Sequence, residues 1–389
     1  MQSLASRLDI FSESLINEMH VLADRTGAIN LSSGYPDFDP PQALLEAAEI
    51  ALKSGYNQYA IPWGSFNLRC ALAKKQSRFT GLEIDPEEHV TVTTGGTEAM
   101  IAVMLAVCNP GDRMIVFSPF YENYAPDIRL AGAEPIYVSL QPPKLAFDPD
   151  ELKSAFQSRA KALVLCNPSN PSGKVFSPDE LQLIASLAIE YDALVIADEV
   201  YEHIVYPPFR HTYISSLPGM FERTISCSSL SKTFSITGWR LGYTIAPQHI
   251  TLAIRKLHDY LTLGTAAPLQ EAAVTALGFP DTYYANLLSG YARRREIFLD
   301  ELDKAGIGYI PPQGAYFVLA DISHFGFDDD LDFCYWMAKE IGVAGVPGSY
   351  FFHEPVKNLV RFNFAKREET LSEAGRRLKQ IASKAPKSS

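Results

Sequence analysis

Ala162-Leu163-Val164-Leu165-Cys166, then Ser177-Pro178-Asp179-Glu180, then Ala193-Leu194-Val195-Ile196-Ala197 is the stretch on which the fold turns. Each apolar run is five residues long and shows no polar alternation, which suits a strand buried on both faces. Between them Ser177 is an N-cap residue, Pro178 suits the first helical position, and Glu180 completes a capping box. A helix is therefore expected to run to Tyr191. Strand, helix and strand in that order build a parallel sheet. The alternation continues on both sides, with expected strands at 89–94, 113–118, 134–140, 224–228 and 243–246 and helices at 98–108 and 148–159. The fold class is α/β: a large, doubly wound, mostly parallel sheet with helices on both faces. The end of the chain reads differently. A strand at 316–321, a helix at 331–341, a strand at 359–364 and a final helix after Glu369 suggest a smaller α+β unit. The expected division is an arm at 1–38 that joins the small domain, a large domain at 39–280, and the small C-terminal domain at 281–389. Pro142-Pro143 reads as a loop.

The 389 residues are 47% hydrophobic and 20% charged, which suits a substantial globular core. The net charge of −11 and the lack of a basic block argue against a nucleic-acid partner. Arg293-Arg294-Arg295 and the C-terminal tail are the only concentrated basic stretches, read as a solvated helix face and a frayed end. Five dispersed cysteines without a CxxC pair argue against a disulfide framework and against a zinc site; buried free thiols are expected. No signal-peptide pattern opens the chain, and no apolar run reaches the roughly 18 residues of a membrane span. A cytoplasmic location and no membrane partner follow as expectations.

Polar residues recur just beyond the expected strands, where an open parallel sheet binds its ligands. Gly95-Gly96-Thr97-Glu98 lies between a strand and a helix. Amides at a helix N-terminus bind phosphate, although two glycines also serve many such turns for steric reasons alone. Asn167-Pro168-Ser169-Asn170-Pro171-Ser172-Gly173 forces a tight turn that suits either a site or an ordinary loop. Asp198 ends an apolar strand and needs a partner, a protonated pyridine nitrogen or a local cap. Glu199 and Glu202 are expected to make local ion pairs or face solvent. Ser228-Ser229-Leu230-Ser231-Lys232-Thr233-Phe234 sets a lysine among small hydroxyl residues, where desolvation would lower its pKa and favour Schiff-base chemistry. Arg240 suits bidentate phosphate recognition. Arg361, inside the apolar run 359–364, needs an anion: a substrate carboxylate or a structural salt bridge.

NPSNPSG, DEVY, SLSKTFSITGWRLG and RFNFA, at 167–173, 198–201, 229–242 and 361–365, occur in this order. Together they resemble the class I aminotransferases, pyridoxal-phosphate enzymes of the aspartate-aminotransferase type. The resemblance runs from Ser33-Gly34-Tyr35-Pro36-Asp37-Phe38 to Arg361. It implies pyridoxal 5'-phosphate bound covalently to Lys232, with Asp198 on the pyridine nitrogen and Asn170 and Tyr201 on the ring oxygen. Tyr121 would stack on the ring, with Phe120 behind it. Gly96, Thr97, Ser229 and Arg240 would hold the phosphate. Tyr59 would reach the phosphate of a neighbouring subunit, which implies a homodimer with shared active sites. Arg361, Gly34 and Asn170 would bind the substrate carboxylate. Lys232 would also move the substrate α-proton, in a ping-pong transfer from an amino acid to a 2-oxo acid.

Asn57-Gln58-Tyr59, His258-Asp259-Tyr260-Leu261-Thr262 and Phe333-Cys334-Tyr335-Trp336 are most similar to the methionine, glutamine and kynurenine branch. That branch implies large uncharged donors, including aromatic ones, with Tyr35, Phe38, Trp63 and Tyr350 as lining residues. A C–S β-lyase on the same fold would share the cofactor residues and differ in products, releasing ammonia and pyruvate. A pyridoxal-phosphate-sensing regulator would need a DNA-binding module, and about forty residues before the matched region are too few for one. The small domain, which carries Arg361, is expected to close over bound substrate.

Overall fold

The structure is a computed structural model that describes residues 4, 5, 8 and 11–386. The first residues, read for a signal peptide, and the basic end of the tail at 387 lie largely outside the described residues. Thirteen strands are described: β1 Ile29–Asn30, β2 Val90–Thr94, β3 Arg113–Ser118, β4 Glu134–Ser139, β5 Ala162–Cys166, β6 Leu194–Asp198, β7 Thr224–Ser229, β8 Leu241–Ile245, β9 Gly308–Ile310, β10 Phe317–Asp321, β11 Val343–Ala344, β12 Val346–Pro347 and β13 Leu359–Asn363.

Seven of them form one sheet in the order β2-β8-β7-β6-β5-β3-β4. Only β8 runs against its neighbours. The buried runs explain the centre. Leu163 and Leu165 of β5 enter one apolar layer, while Ala162, Val164 and Cys166 enter the opposite one. A strand with both faces covered needs no polar side. The helix Pro178–Glu190 returns the chain from β5 to β6, and Ser177 and Glu180 form the expected capping box.

A second sheet, β12-β13-β10-β9, is antiparallel. The early strand β1 pairs with β11, so the start of the chain is tied to the C-terminal part. The long helix Asp281–Lys304 packs on the Glu368–Leu378 helix beside this sheet. A third apolar layer lies between β13, β10 and these helices.

Several boundaries moved for identifiable reasons. The helix expected to begin at Glu98 begins at Gly95, because the Glu98 carboxylate turns back and accepts the Thr94 N–H at 3.0 Å. β8 starts at Leu241, two residues early, because it pairs along both β2 and β7. The expected helix 331–341 is α-helical over Asp330–Trp336 and continues as one π-helical turn over Met337–Ile341. Arg293-Arg294-Arg295 is not one solvated face. Arg293 pairs with Glu368 at 2.7 Å, but Arg294 lies 4.4 Å over the Phe38 ring and Arg295 5.1 Å over Tyr206. Long arginine stems cover apolar rings while the charged head stays near water. All five cysteines are free thiols; three are buried and two are half-buried. Among the described residues no helix is long and apolar enough to cross a membrane, and no cluster of metal-ligating side chains occurs.

Candidate active site

The carboxyl ends of β2, β5, β6 and β7 deliver their polar side chains to one cavity of about 440 Å³, and β13 closes it from the second sheet. Gly34, Tyr35, Gly96, Thr97, Tyr121, Asn170, Asp198, Tyr201, Ser229, Lys232, Arg240 and Arg361 all line it.

Lys232 sits in the short Leu230–Thr233 helix that follows β7. Its Nζ donates to the Gly34 carbonyl at 3.0 Å and lies 5.9 and 5.8 Å from the rings of Tyr201 and Tyr316. Burial and the nearby Arg240 hold its pKa down to about 8, against the opposing pull of Asp198. Such an amine has a neutral, nucleophilic fraction close to neutral pH.

Asp198 ends β6 and is 7% exposed. In register it is flanked by Cys166 and Cys227 on the neighbouring strands. Burial among thiols raises its pKa, while hydrogen bonds from Tyr124 and the Val200 N–H oppose the rise. The Tyr124 hydroxyl donates at 2.5 Å.

At the other end of the cavity the 13-residue Gly95–Val107 helix presents its N-terminus. A Cβ on Gly95 would stand 2.3 Å from the Arg240 guanidinium, and a Cβ on Gly242 would stand 2.3 Å from the Gly95 carbonyl carbon. Both glycines are needed for Arg240 to approach the helix start. Helix amides, the dipole and a guanidinium together form an anion site. Ser229 lines the same end, where its hydroxyl donates to the Leu241 carbonyl at 3.0 Å and accepts the Ser231 N–H.

Arg361 is 1% exposed. It lies between the rings of Phe317 and Phe351, at 4.5 and 4.6 Å. It donates to Asn170 Oδ1 at 2.9 Å and to the Ser32 carbonyl at 2.7 Å, and its Nε has no partner. Burial lowers its pKa to about 10. No carboxylate forms an ion pair with it among the described residues, so the structural salt bridge left open by the sequence does not form. A buried cation without an anion is costly until an anionic ligand arrives.

Two expected residues lie elsewhere. Trp63 does not reach this cavity: β2 holds its backbone through the Val92 N–H at 3.0 Å, and its ring packs under Arg255 at 5.3 Å. Tyr59 is 85% exposed, beside Tyr56, Ile61 and Phe66 on the surface. Phe38 and Tyr350 also lie outside the cavity lining, Phe38 beneath Arg294. Glu199 and Glu202 do not face solvent. Both are buried, and Glu202 pairs with Lys75 at 2.5 Å beneath the site while accepting from Ser228. Sequence reading missed Tyr124, Tyr316, Glu122 and the first helix, Leu15–Thr26, whose Ile16, Asn17 and His20 complete the cavity wall. A helix that lies beyond every motif carries no local signal for such a role.

Three comparisons address identity. The family described as aminotransferase class I and II matches residues 26–378. The solved N-succinyldiaminopimelate aminotransferase from Mycobacterium tuberculosis is 39% identical, covering 97% of this chain and 100% of its own, with a TM-score of 0.95. Methionine aminotransferase of Escherichia coli is 37% identical over 97% of this chain and 98% of its own, and human kynurenine–oxoglutarate transaminase 1 is 36% identical with the same coverage. The chain belongs to the class I and II aminotransferases.

Proposed function

We propose that this aminotransferase works with pyridoxal 5'-phosphate held by Lys232, and that its donors are amino acids with large uncharged side chains. The observation that carries the reading is the Lys232 amine. It is lowered to about 8 and shares one cavity with a buried acid, an anion-binding helix start and an unpaired buried arginine. Each of these groups fits one part of the cofactor or substrate. When bound, pyridoxal phosphate supplies an aldehyde that captures amines and a ring that draws electrons from the Cα–H bond. Asp198 would hold the ring's pyridine nitrogen, and Asn170 and Tyr201 would hold the ring oxygen. Gly96, Thr97 and Arg240 take the phosphate. Tyr121 supports the ring face. Arg361, turned by Asn170 and the Ser32 carbonyl, binds the α-carboxylate. Lys232 Nζ would move the α-proton, and the Gly34 carbonyl and Tyr316 ring hold that amine in the cavity.

The donor class rests on the wall formed by Ile16 and Tyr35 and on relatives named for methionine and kynurenine. A homodimer is supported by the exposed apolar residues Tyr56, Tyr59, Ile61 and Phe66, which lie together on the surface and from which Tyr59 would reach a neighbouring phosphate. Five free thiols support a reducing, cytoplasmic setting.

The test is the absorbance spectrum of the purified protein, titrated separately with methionine, glutamine, phenylalanine, tyrosine, kynurenine and aspartate. The bound-cofactor band should convert to the pyridoxamine form with the uncharged donors. Lys232→Ala should abolish turnover, by a factor of about 10⁴ or more for loss of both nucleophile and proton carrier. A protein without pyridoxal phosphate would overturn the proposal. Ammonia and pyruvate as the only products, from cysteine-type donors, would assign β-elimination instead.

A further inference from the structure

Lys232, Arg240 and Arg361 each have a partner in the reading above, on which this inference rests. One charged group on the cavity wall has none. Glu122 follows Tyr121 directly and faces the wall formed by Ile16, Asn17 and His20. Ser14, the N-cap of the Leu15–Thr26 helix, places its hydroxyl 2.9 and 3.1 Å from the two Glu122 oxygens. A hydroxyl has one proton, so most of the carboxylate's acceptor sites stay open. Among the described residues no lysine or arginine forms an ion pair with it. The Tyr350 hydroxyl, pushed up to about 12 by burial and by its hydrogen bond to Glu122, stays neutral beside it. With the α-carboxylate on Arg361, the distal end of a bound amino acid is left to this wall.

We infer that Glu122 is a specificity-determining residue: it sets the charge of the substrate's distal end, accepting hydrogen-bond donors such as a carboxamide or an aromatic amine and repelling a distal carboxylate. The repulsion acts in a partly buried cavity, where like charges are poorly screened. Glutamine and glutamate isolate the effect, because they share a shape and differ in charge and donor capacity.

The experiment measures kcat/KM of the holoenzyme for glutamine, glutamate and methionine, in the wild type, Glu122→Gln and Ser14→Ala. The wild type should prefer glutamine to glutamate by about 100-fold. In Glu122→Gln that ratio should fall at least about tenfold, and the methionine-to-glutamate ratio should fall with it. Ser14→Ala keeps the carboxylate and removes only its hydroxyl partner, so the glutamine preference should persist, and its loss in Ser14→Ala would overturn the inference by tying the preference to the helix. Wild-type enzyme that uses glutamate as well as glutamine would overturn the inference without any variant. So would a Glu122→Gln ratio equal to the wild type's, which would make the residue a helix anchor only. Failure to transaminate any of the three would instead overturn the donor class proposed above, and this inference with it.

Discussion

Arg361 keeps its charge between two phenylalanine rings with no carboxylate beside it, held only by an amide oxygen and a carbonyl. Both bonds come from neutral acceptors, so most of the desolvation cost remains until a ligand carboxylate binds. The planar fork matters as much as the charge, because it satisfies Asn170 and Ser32 on one side and can still grip a carboxylate. Arg361→Lys should therefore raise KM for donor and acceptor alike, by about 30-fold or more, with a smaller change in kcat. Steady-state kinetics with one donor and one acceptor decides this. An effect confined to kcat would move Arg361 from binding to the chemical step. Lys232 shows the complementary case. Its lowered pKa comes from burial, Arg240 and Arg361, and Asp198 limits the fall, so three other side chains set one amine.

The helix Tyr124–Leu130 carries an unusual element-scale cost. It supplies Tyr124 to Asp198, and one turn later it buries Asp127, whose Oδ2 has no partner. Burial raises the Asp127 pKa from 3.8 to about 7. The sign follows from linkage. Between pH 4 and 7 the native state holds a proton that the unfolded chain has lost, so stability falls across that window and is level above it. Asp127→Asn removes the titration. It should stabilise the protein by about 3–4 kcal/mol at pH 8, with the gain shrinking below pH 7 and vanishing near pH 4. Thermal unfolding of both proteins at pH 8 and pH 4 measures this, and an equal gain at the two pH values would count against it. The helix Phe66–Thr80 is held in another way. Lys75 crosses to Glu202, which also accepts from Tyr213, Tyr243 and Ser228. The pair lowers the Glu202 pKa despite burial, so that anchor survives into strong acid. It fixes the segment bearing Asp198 and Tyr201 against the sheet.

Across the whole molecule, the cavity gathers residues from Ile16 to Arg361 on two sheets. Lys232 follows the last parallel strand of the large sheet, and Arg361 lies on β13 of the smaller one. Substrate that bridges the two would favour their approach, and the proposed moving bodies are 39–280 and 281–389, the latter joined by the arm at 1–38. An unreactive carboxylate such as 3-phenylpropionate should then reduce the radius of gyration of the holoenzyme in solution scattering. Superimposable profiles with and without it would rule out closure on binding. The exposed apolar surface around Tyr59 should be covered by a second copy at the same time, since such surface is rarely left in water.

The repeated strand-and-helix order, the buried runs of β5 and β6 and the capping box at Ser177 were legible in the sequence, because each depends on local periodicity or on residues within four positions. So were Lys232, Asp198, Arg240 and Arg361, since each is a charge placed against apolar or small neighbours and so signals a partner. Trp63 was misplaced because an aromatic residue packs as readily against Arg255 as against a ligand, and no neighbouring residue distinguishes the two. Tyr124, Tyr316 and Glu122 were invisible for a related reason: their roles exist only once β3, β10 and the first helix meet. Sequence determined which charges needed partners. Only the tertiary structure decided which of those partners the chain itself supplies and which it leaves to a ligand, because that balance depends on through-space contacts between segments up to 329 residues apart, as Arg361 and Ser32 are.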